Sequence, residues 1–200
     1  EDGARFGPSL MPGGAAAAWP AIRDMFQAIA ATVDGIPCCQ WLGEGGAGHY
    51  VKMIHNGIEY GDMQLIAEVC HLMQHALGLG HDTMADCFEA WNGGRLESYL
   101  IEITARILRQ RDHDGSPLVD SILDQAGQKG TGVWTAQDAL DNAVPLTLIS
   151  EAVHARMLSA RKSERVAAAA LLGSVPTVVP EPERAACLDA LHDALYAAKL

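Results

Sequence analysis

Apolar residues recur every three or four positions along most of this chain, which is the spacing of one face of an α-helix. The first such run predicts a helix over residues 15–33, with Pro20 acceptable only in its first turn. Residues 36–42 are short, apolar and followed by glycines, so they predict a strand that begins near Pro37. The Gly- and Pro-rich residues 1–14 predict a loop.

From Gly48 onward the pattern is helical throughout. We predict helices over residues 48–77, 82–91, 96–110, 119–124, 135–142, 147–172 and 184–199. Thr135 is the expected N-cap of the fifth of these, and residues 173–183, with three of the nine prolines, predict an extended link. The fold class is therefore mainly α: the tail of a larger α/β domain in residues 1–47, then an all-helical domain in residues 48–200.

The long predicted helix over residues 48–77 carries an unusual polar face. Lys52, His55, Asn56 and Glu59 follow one another at steps of three and four residues, so they fall within a sector of roughly 100°. The expected packed side holds other residues, namely Ile54, Ile58, Leu65 and Val69. A cation, an imidazole, an amide and a carboxylate on one rigid face are typical of a proton-transfer site, whereas the simpler interpretation is a solvated polar stripe.

The net charge of the chain limits the classes of binding partner that can be expected. The 200 residues contain 14 Lys+Arg against 25 Asp+Glu, a net charge of -11. Nucleic acids and anionic membranes bind basic surfaces, so neither is expected as a partner. A small anion would need a local cluster of basic groups. No stretch approaches the roughly 20 apolar residues of a membrane-spanning helix, and no secretory signal is visible.

Five cysteines without a CxxC pair predict buried thiols in a reducing, cytoplasmic compartment. The opening residues lack an initiator Met, and we expect them to continue a longer protein. His71 and His75 have the spacing of a metal-binding pair, but no Cys or carboxylate is placed to complete a site, so no metal is predicted.

Two glycine-rich segments suggest phosphate chemistry. Gly43, Gly45 and Gly48 match GxGxxG, but the helix that follows leaves no room for the second strand of a dinucleotide fold, so close packing of two segments is the expected role. Residues 126–132 (AGQKGTG) lack the Walker spacing. Lys129 and Thr131 in this loop, with Arg156 from a later helix, have the donors to hold a phosphate, although an exposed loop is the default interpretation.

Four segments, in this order, resemble the 6-phosphogluconate dehydrogenase family: GAGHYVKMIHNGIEYGDMQL, FEAWNGGRLESYLIEITARIL, AGQKGTGVWTAQDAL and PLTLISEAVHAR. The resemblance covers nearly all of residues 3–172. It implies a homodimeric, NADP-dependent enzyme of the pentose phosphate pathway that oxidises and decarboxylates 6-phosphogluconate to ribulose 5-phosphate and CO₂. It also implies that residues 1–47 end a Rossmann-like coenzyme domain and that residues 48–200 begin the all-helical substrate and dimerisation domain, with NADP bound mainly by residues outside this chain.

The resemblance also implies individual roles. Lys52 is similar to the family's general base, and Glu59 to the acid that protonates the enediol. We expect burial to favour the neutral amine of Lys52 and the protonated carboxyl of Glu59. Contacts to the substrate are implied for His55 and Asn56 (hydroxyls and carboxylate) and for Tyr60, Lys129, Thr131 and Arg156 (phosphate). Val133 departs from the family, in which a basic residue is common at this position.

Two other hypotheses stay open from the sequence. A related β-hydroxyacid dehydrogenase with another substrate would not need the phosphate-binding residues Lys129, Thr131 and Arg156. A non-catalytic helical dimerisation module would need none of the polar face around Lys52.

Overall fold

The computed structural model describes residues 7–173 and 178–200, and most of them lie in helices. The first part of the predicted loop over residues 1–14 and part of the predicted link over residues 173–183 lie outside the described residues. The chain divides into two units. Unit 1 contains Glu1–Ile58 and Gly130–Leu146, and unit 2 contains Glu59–Lys129 and Thr147–Leu200. The predicted domain division between residues 47 and 48 stays a prediction.

The helices confirm the mainly α prediction. Their bounds are α1 Trp19–Ile29, α2 Ala47–His75, α3 His81–Asn92, α4 Tyr99–Arg109, α5 Leu118–Ser121, α6 Thr131–Asp141, α7 Thr147–Ser159, α8 Lys162–Leu172 and α9 Arg184–Lys199. Two 3-10 turns cover Ala16–Ala18 and Glu181–Glu183, and the strands are β1 Thr32–Val33 and β2 Ile36–Pro37. The predicted bounds of the final helix are correct, and Pro20 lies in the first turn of α1 as expected.

The predicted strand over residues 36–42 is mostly wrong. β2 has two residues and pairs antiparallel with β1, with Val33 opposite Ile36. Because residues 32–33 form β1, the helix predicted to run to residue 33 ends earlier, at Ile29. Asp34 and Gly35 between the strands have φ of 51° and 78°. Two consecutive positive φ values are typical of a two-residue hairpin, and Asp-Gly is a preferred sequence for it.

Glycine permits a close backbone contact at the beginning of α2 in unit 1. A Cβ atom added to Gly48 would lie 2.1 Å from the carbonyl oxygen of Met11 and 2.6 Å from the amide nitrogen of Gly13. Any side chain at residue 48 would therefore displace the backbone of the loop. The expectation that the GxGxxG glycines serve close packing is confirmed for Gly48.

Thr135 does not cap a helix. α6 begins four residues earlier, at Thr131, and Gly130 precedes it with φ of 100°, a conformation that L-residues rarely adopt. Thr135 instead lies inside α6 and is 4% exposed. The prediction failed because the apolar spacing before Thr135 is weak, whereas the left-handed glycine that begins the helix gives no periodic signal.

The single helix predicted over residues 147–172 is two helices. α7 ends at Ser159 and α8 begins at Lys162. Two side chains donate hydrogen bonds to backbone carbonyl oxygens at the break. Gln125 Nε2 donates to the carbonyl oxygen of Ala160 at 3.1 Å, and Arg165 Nη2 donates to that of Ser159 at 3.1 Å. Neither donor is visible in the local pattern, so the sequence predicted a continuous helix.

The main apolar core belongs to unit 2. α3 packs against α4, and the second half of α2 and α9 complete the cluster. Its fully buried side chains include Met73, Met84, Phe88, Ile101 and Leu195. The predicted packed side of α2 is correct at Val69, which is buried, and wrong at Ile58, which is 59% exposed.

All five cysteines are free thiols. Burial raises the pKa of the Cys70 thiol to about 12, so this residue is not ionised near neutral pH. None of the helices in residues 7–173 and 178–200 is long and apolar enough to span a membrane.

We predict that Gly48→Ala lowers the free energy of unfolding by about 2 kcal/mol, because the new methyl group overlaps backbone atoms that cannot rotate away. Urea unfolding followed by circular dichroism measures this loss. Gly46→Ala is the matched control, since a Cβ there meets nothing within 4 Å. Equal stability of the two variants would contradict the packing role of Gly48.

Candidate functional site

The polar face of α2 begins in unit 1 with Lys52 and His55. Lys52 Nζ lies 3.4 Å from His55 Nδ1, so the amine donates to the ring nitrogen when that nitrogen carries no proton. Both side chains are exposed, and Asn56 is half-buried. The expected burial of Lys52 is not provided by the described residues of this chain.

α6 brings Thr131 to the same unit as Lys52. Thr131 is the first residue of α6, where backbone N–H groups have no partner inside the helix and the helix dipole is positive. Such a position favours an anion. Thr131 is half-buried.

Two polar contacts join α6 to the first half of α2. Thr135 Oγ1 lies 3.1 Å from the carbonyl oxygen of Met53, and the Tyr50 hydroxyl donates to Asp138 Oδ2 at 2.5 Å. The hydrogen bond to Asp138 raises the pKa of the Tyr50 hydroxyl. Neither contact is predicted from the sequence, because the partners lie 82 and 88 residues apart.

Among the predicted site residues of unit 2, Arg156 has a guanidinium group with three described contacts. Its guanidinium carbon lies 4.0 Å from the centre of the Tyr60 ring, in the geometry of a cation–π contact. Nη1 donates to the carbonyl oxygen of Gly127 at 2.7 Å, and Nη2 lies 3.7 Å from Met63 Sδ. Three contacts therefore fix the direction of the guanidinium group before any ligand binds.

Two hydrogen bonds within unit 2 also hold the glycine-rich loop in place. The amide of Ala126 donates to Ser159 Oγ at 2.8 Å, and the Gly127 carbonyl accepts from Arg156. Lys129, two residues further on, is exposed. The structure therefore brings together Tyr60, Arg156 and the loop that carries Lys129, and their binding of a phosphate stays a prediction.

Glu59, the predicted acid, lies seven residues after Lys52 on the continuous helix α2 and is half-buried. A separation of seven residues corresponds to roughly 10 Å of helical rise. One turn further on, Asp62 accepts from Lys199 at 2.7 Å, and both side chains are less than 20% exposed. This ion pair is not predictable from local spacing, because its members lie 137 residues apart.

The structure thus places the predicted residues in two groups. Lys52, His55, Asn56 and Thr131 belong to unit 1, and Glu59, Tyr60, Lys129 and Arg156 belong to unit 2. Direct contacts join Lys52 to His55 and Tyr60 to Arg156. The convergence of the two groups on one substrate stays a prediction.

The rings of His71 and His75 lie 4.4 Å apart, centre to centre. In residues 7–173 and 178–200, no group of three or more His, Cys, Asp or Glu side chains is placed to hold a metal ion.

The C-terminal domain model of 6-phosphogluconate dehydrogenase matches residues 48–200, more than half of the chain. The chain belongs to the 6-phosphogluconate dehydrogenase family. The model of the NAD binding domain of 6-phosphogluconate dehydrogenase matches residues 1–43.

Relatives in the 6-phosphogluconate dehydrogenase family are similar along the whole chain. The decarboxylating 6-phosphogluconate dehydrogenase of Cunninghamella elegans is 58% identical over all of this chain and 41% of its own length. The enzyme of the same name from Ovis aries is 57% identical over all of this chain and 42% of its own length. The chain thus spans about two fifths of the length of these curated relatives.

A solved structure from the 6-phosphogluconate dehydrogenase family has the same fold. The Plasmodium falciparum enzyme matches with a TM-score of 0.92 and 41% identity, over 98% of this chain and 43% of that one. That protein is described in its apo form, with its cofactor NADP+ and with its substrate 6-phosphogluconate.

We predict that Tyr60→Leu lowers the free energy of unfolding by about 1 kcal/mol more than Tyr60→Phe does, because only the phenylalanine keeps an aromatic face beneath Arg156. Urea unfolding of both variants measures the difference. A Tyr60→Leu protein as stable as Tyr60→Phe would show that the stacking contributes nothing to the position of the guanidinium.

Proposed function

We propose that the full-length protein is an NADP-dependent 6-phosphogluconate dehydrogenase that oxidises and decarboxylates 6-phosphogluconate to ribulose 5-phosphate and CO₂. The observation that carries this proposal is the guanidinium of Arg156, held by Tyr60 and Gly127 in a loop-and-helix arrangement suited to a phosphate, in a chain of this family. Similarity to relatives named for the decarboxylating activity supports it.

In the proposed first step, neutral Lys52 takes the proton of the 3-hydroxyl while a hydride leaves C3. The contact with His55 Nδ1 limits where the amine can lie, and Asn56 on the same helix offers an amide to the substrate's hydroxyls and carboxylate. Since Lys52 is exposed in this chain, we infer that bound substrate and the remainder of the full-length protein cover it before reaction and so favour the neutral amine.

The 3-keto acid then loses its carboxylate as CO₂, because the C3 carbonyl accepts the electron pair of the broken C1–C2 bond. The ammonium of Lys52 stabilises the enolate oxygen that results. Glu59 donates a proton to the carbon that has lost CO₂, which is C1 of the enediol, and the product is ribulose 5-phosphate. Glu59 is half-buried on the same helix as Lys52.

The phosphate group would be bound by charge and by hydrogen-bond donors together. Arg156 and Lys129 supply charge, Thr131 supplies a hydroxyl at the N-terminus of α6, and Tyr60 supplies the face against which Arg156 is held. This local group explains how a protein with a net charge of -11 would capture an anion. A substrate without phosphate would not need it, which favours 6-phosphogluconate over other β-hydroxyacids.

A nicotinamide coenzyme accepts the hydride in this chemistry. The described residues of this chain do not fit a dinucleotide: in the only glycine turn with suitable spacing, Gly48 is packed against Met11 and Gly13. We therefore infer that NADP is bound mainly by other parts of the full-length protein. A homodimer and a cytoplasmic location are further parts of this proposal.

Replacing the proposed base tests the catalytic role. In the full-length protein, Lys52→Met should lower kcat by about 10²-fold or more while 6-phosphogluconate still binds, because methionine keeps the length of the side chain but accepts no proton. Steady-state kinetics and calorimetric titration measure the two quantities. Lys162→Met, the same change at the first residue of α8, is the control. Unchanged turnover in Lys52→Met would favour a non-catalytic helical module.

Replacing the proposed phosphate ligand tests the substrate class. Arg156→Ala should raise the KM for 6-phosphogluconate about tenfold or more and lower kcat less, because a charged hydrogen bond to the phosphate is lost in the ground state as well as in the transition state. Arg161→Ala, whose side chain contacts only exposed Glu164 among the ion pairs described, should leave KM unchanged. An unaltered KM in Arg156→Ala would remove this residue from the site and would favour another β-hydroxyacid as substrate.

A further inference from the structure

Thr135 is a buried polar residue that the proposed mechanism does not use. It is 4% exposed, and no other polar or charged residue in the described part of the chain is as deeply buried. Its hydroxyl oxygen lies 2.9 Å from the carbonyl oxygen of Thr131 and 3.1 Å from that of Met53. The single hydroxyl proton is donated to one of these carbonyls or shared between them, so this group lies between the backbone of Thr131 and the backbone of α2 immediately after Lys52.

The helices approach closely at this contact because Gly57 has no side chain. A Cβ atom at Gly57 would lie 3.0 Å from both Oγ1 and Cγ2 of Thr135. α6 therefore lies against the bare backbone of α2 between Met53 and Gly57. The hydroxyl group can reach a carbonyl of the other helix only because the two backbones come this near.

The contact of the Thr135 hydroxyl determines the position of α6 along α2 more than it contributes to the stability of the fold. The Met53 carbonyl already accepts from the amide four residues further along α2, and the Thr131 carbonyl does the same in α6. Removing the hydroxyl therefore leaves no buried carbonyl without a donor, and the loss of stability should be modest. What is lost is a directional contact that sets how far α6 can slide along α2.

We propose that Thr135 is a positioning residue that sets the place of Thr131 relative to the Lys52 region of α2. The inference rests on the proposed function, in which Thr131 contacts the substrate's phosphate. Thr135 itself does not touch the substrate. Its hydroxyl acts through Thr131, by holding the first turn of α6 at one position along α2.

A second contact between the same two helices provides a control. Tyr50 donates to Asp138 at 2.5 Å, but both atoms lie on the exposed side. Tyr50→Phe removes an interhelical hydrogen bond, as Thr135→Val does, without altering the turn that carries Thr131. A general weakening of helix packing would affect both variants alike.

The experiment uses steady-state kinetics of the full-length protein with 6-phosphogluconate. Thr135→Val should raise KM about three- to tenfold with a change in kcat below about twofold, and Thr135→Ser, which keeps the hydroxyl, should restore most of the affinity. Tyr50→Phe should leave KM unchanged. Thermal unfolding of each variant confirms that it is folded at the assay temperature.

A double-mutant cycle decides whether Thr135 acts through Thr131. In a Thr131→Ala background, Thr135→Val should raise KM no further. Additive effects would overturn the positioning role and leave the phosphate contact of Thr131 intact. If Thr131→Ala alone leaves KM unchanged, the proposed phosphate contact fails instead. A KM rise in Tyr50→Phe equal to that in Thr135→Val would also overturn the proposal, because it would reveal only weaker packing.

Discussion

The structure depends on the absence of side chains at two points of α2. A Cβ atom at Gly57 would lie 3.0 Å from the side chain of Thr135 in unit 1, and one at Gly61 would lie 3.0 Å from Leu148 Cγ in unit 2. Each distance is shorter than ordinary van der Waals contact. Within each unit, therefore, α2 meets another helix through its bare backbone, and the elements that carry the candidate site residues are placed by these contacts.

Close backbone contact also explains the unusual composition of this helix. Glycine in a helix interior costs roughly 1 kcal/mol relative to alanine, and α2 contains two such residues near its middle. The apolar core around Met73, Phe88 and Leu195 lies further along the helix in unit 2 and supports its second half. The middle of α2 can therefore be specialised for close approach and polar chemistry, while its C-terminal half provides the stability.

The phosphate-binding proposal depends on preorganisation more than on total charge. Arg156 makes its contacts with an aromatic face, a backbone carbonyl and a thioether, none of which is anionic. Its positive charge is therefore directed without being neutralised. Other arginines of unit 2 are paired differently: Arg109 contacts both Asp86 and Glu89, and Arg165 contacts Asp124. In a chain this acidic, an arginine held by neutral groups keeps its charge available to an incoming anion, whereas the charges of Arg109 and Arg165 are paired.

The sequence predicted the helical class, the long α2 and the final helix, because their apolar spacing is regular over many residues. It failed where single residues or distant partners decide the structure. Asp34 and Gly35 turn a predicted strand into a short hairpin, and a left-handed Gly130 starts α6 four residues before the expected cap. Hydropathy assigns glycine no burial, so the apolar spacing predicts a packed side that includes Ile58, which is exposed, and leaves out Gly57.

The candidate site shows the same division. Lys52 and Arg156 were singled out from their side-chain types, their spacing and the family resemblance, and their roles stay predictions. Local spacing predicts that the hydroxyl of Thr135 caps a helix, since serine and threonine most often act on their own local backbone, and this prediction is wrong. Its partner at Met53 lies 82 residues away, and only the folded chain brings the two together.

The exposure of Lys52 places a physical demand on the proposed chemistry. A lysine amine surrounded by water is held in its charged form by hydration, and a general base has to be neutral. His55 contributes one polar neighbour at 3.4 Å but adds no negative charge that would hold the ammonium. In the proposed chemistry, water would have to be excluded from Lys52 by the substrate and by the remainder of the full-length protein, because the described residues of this chain leave the side chain exposed.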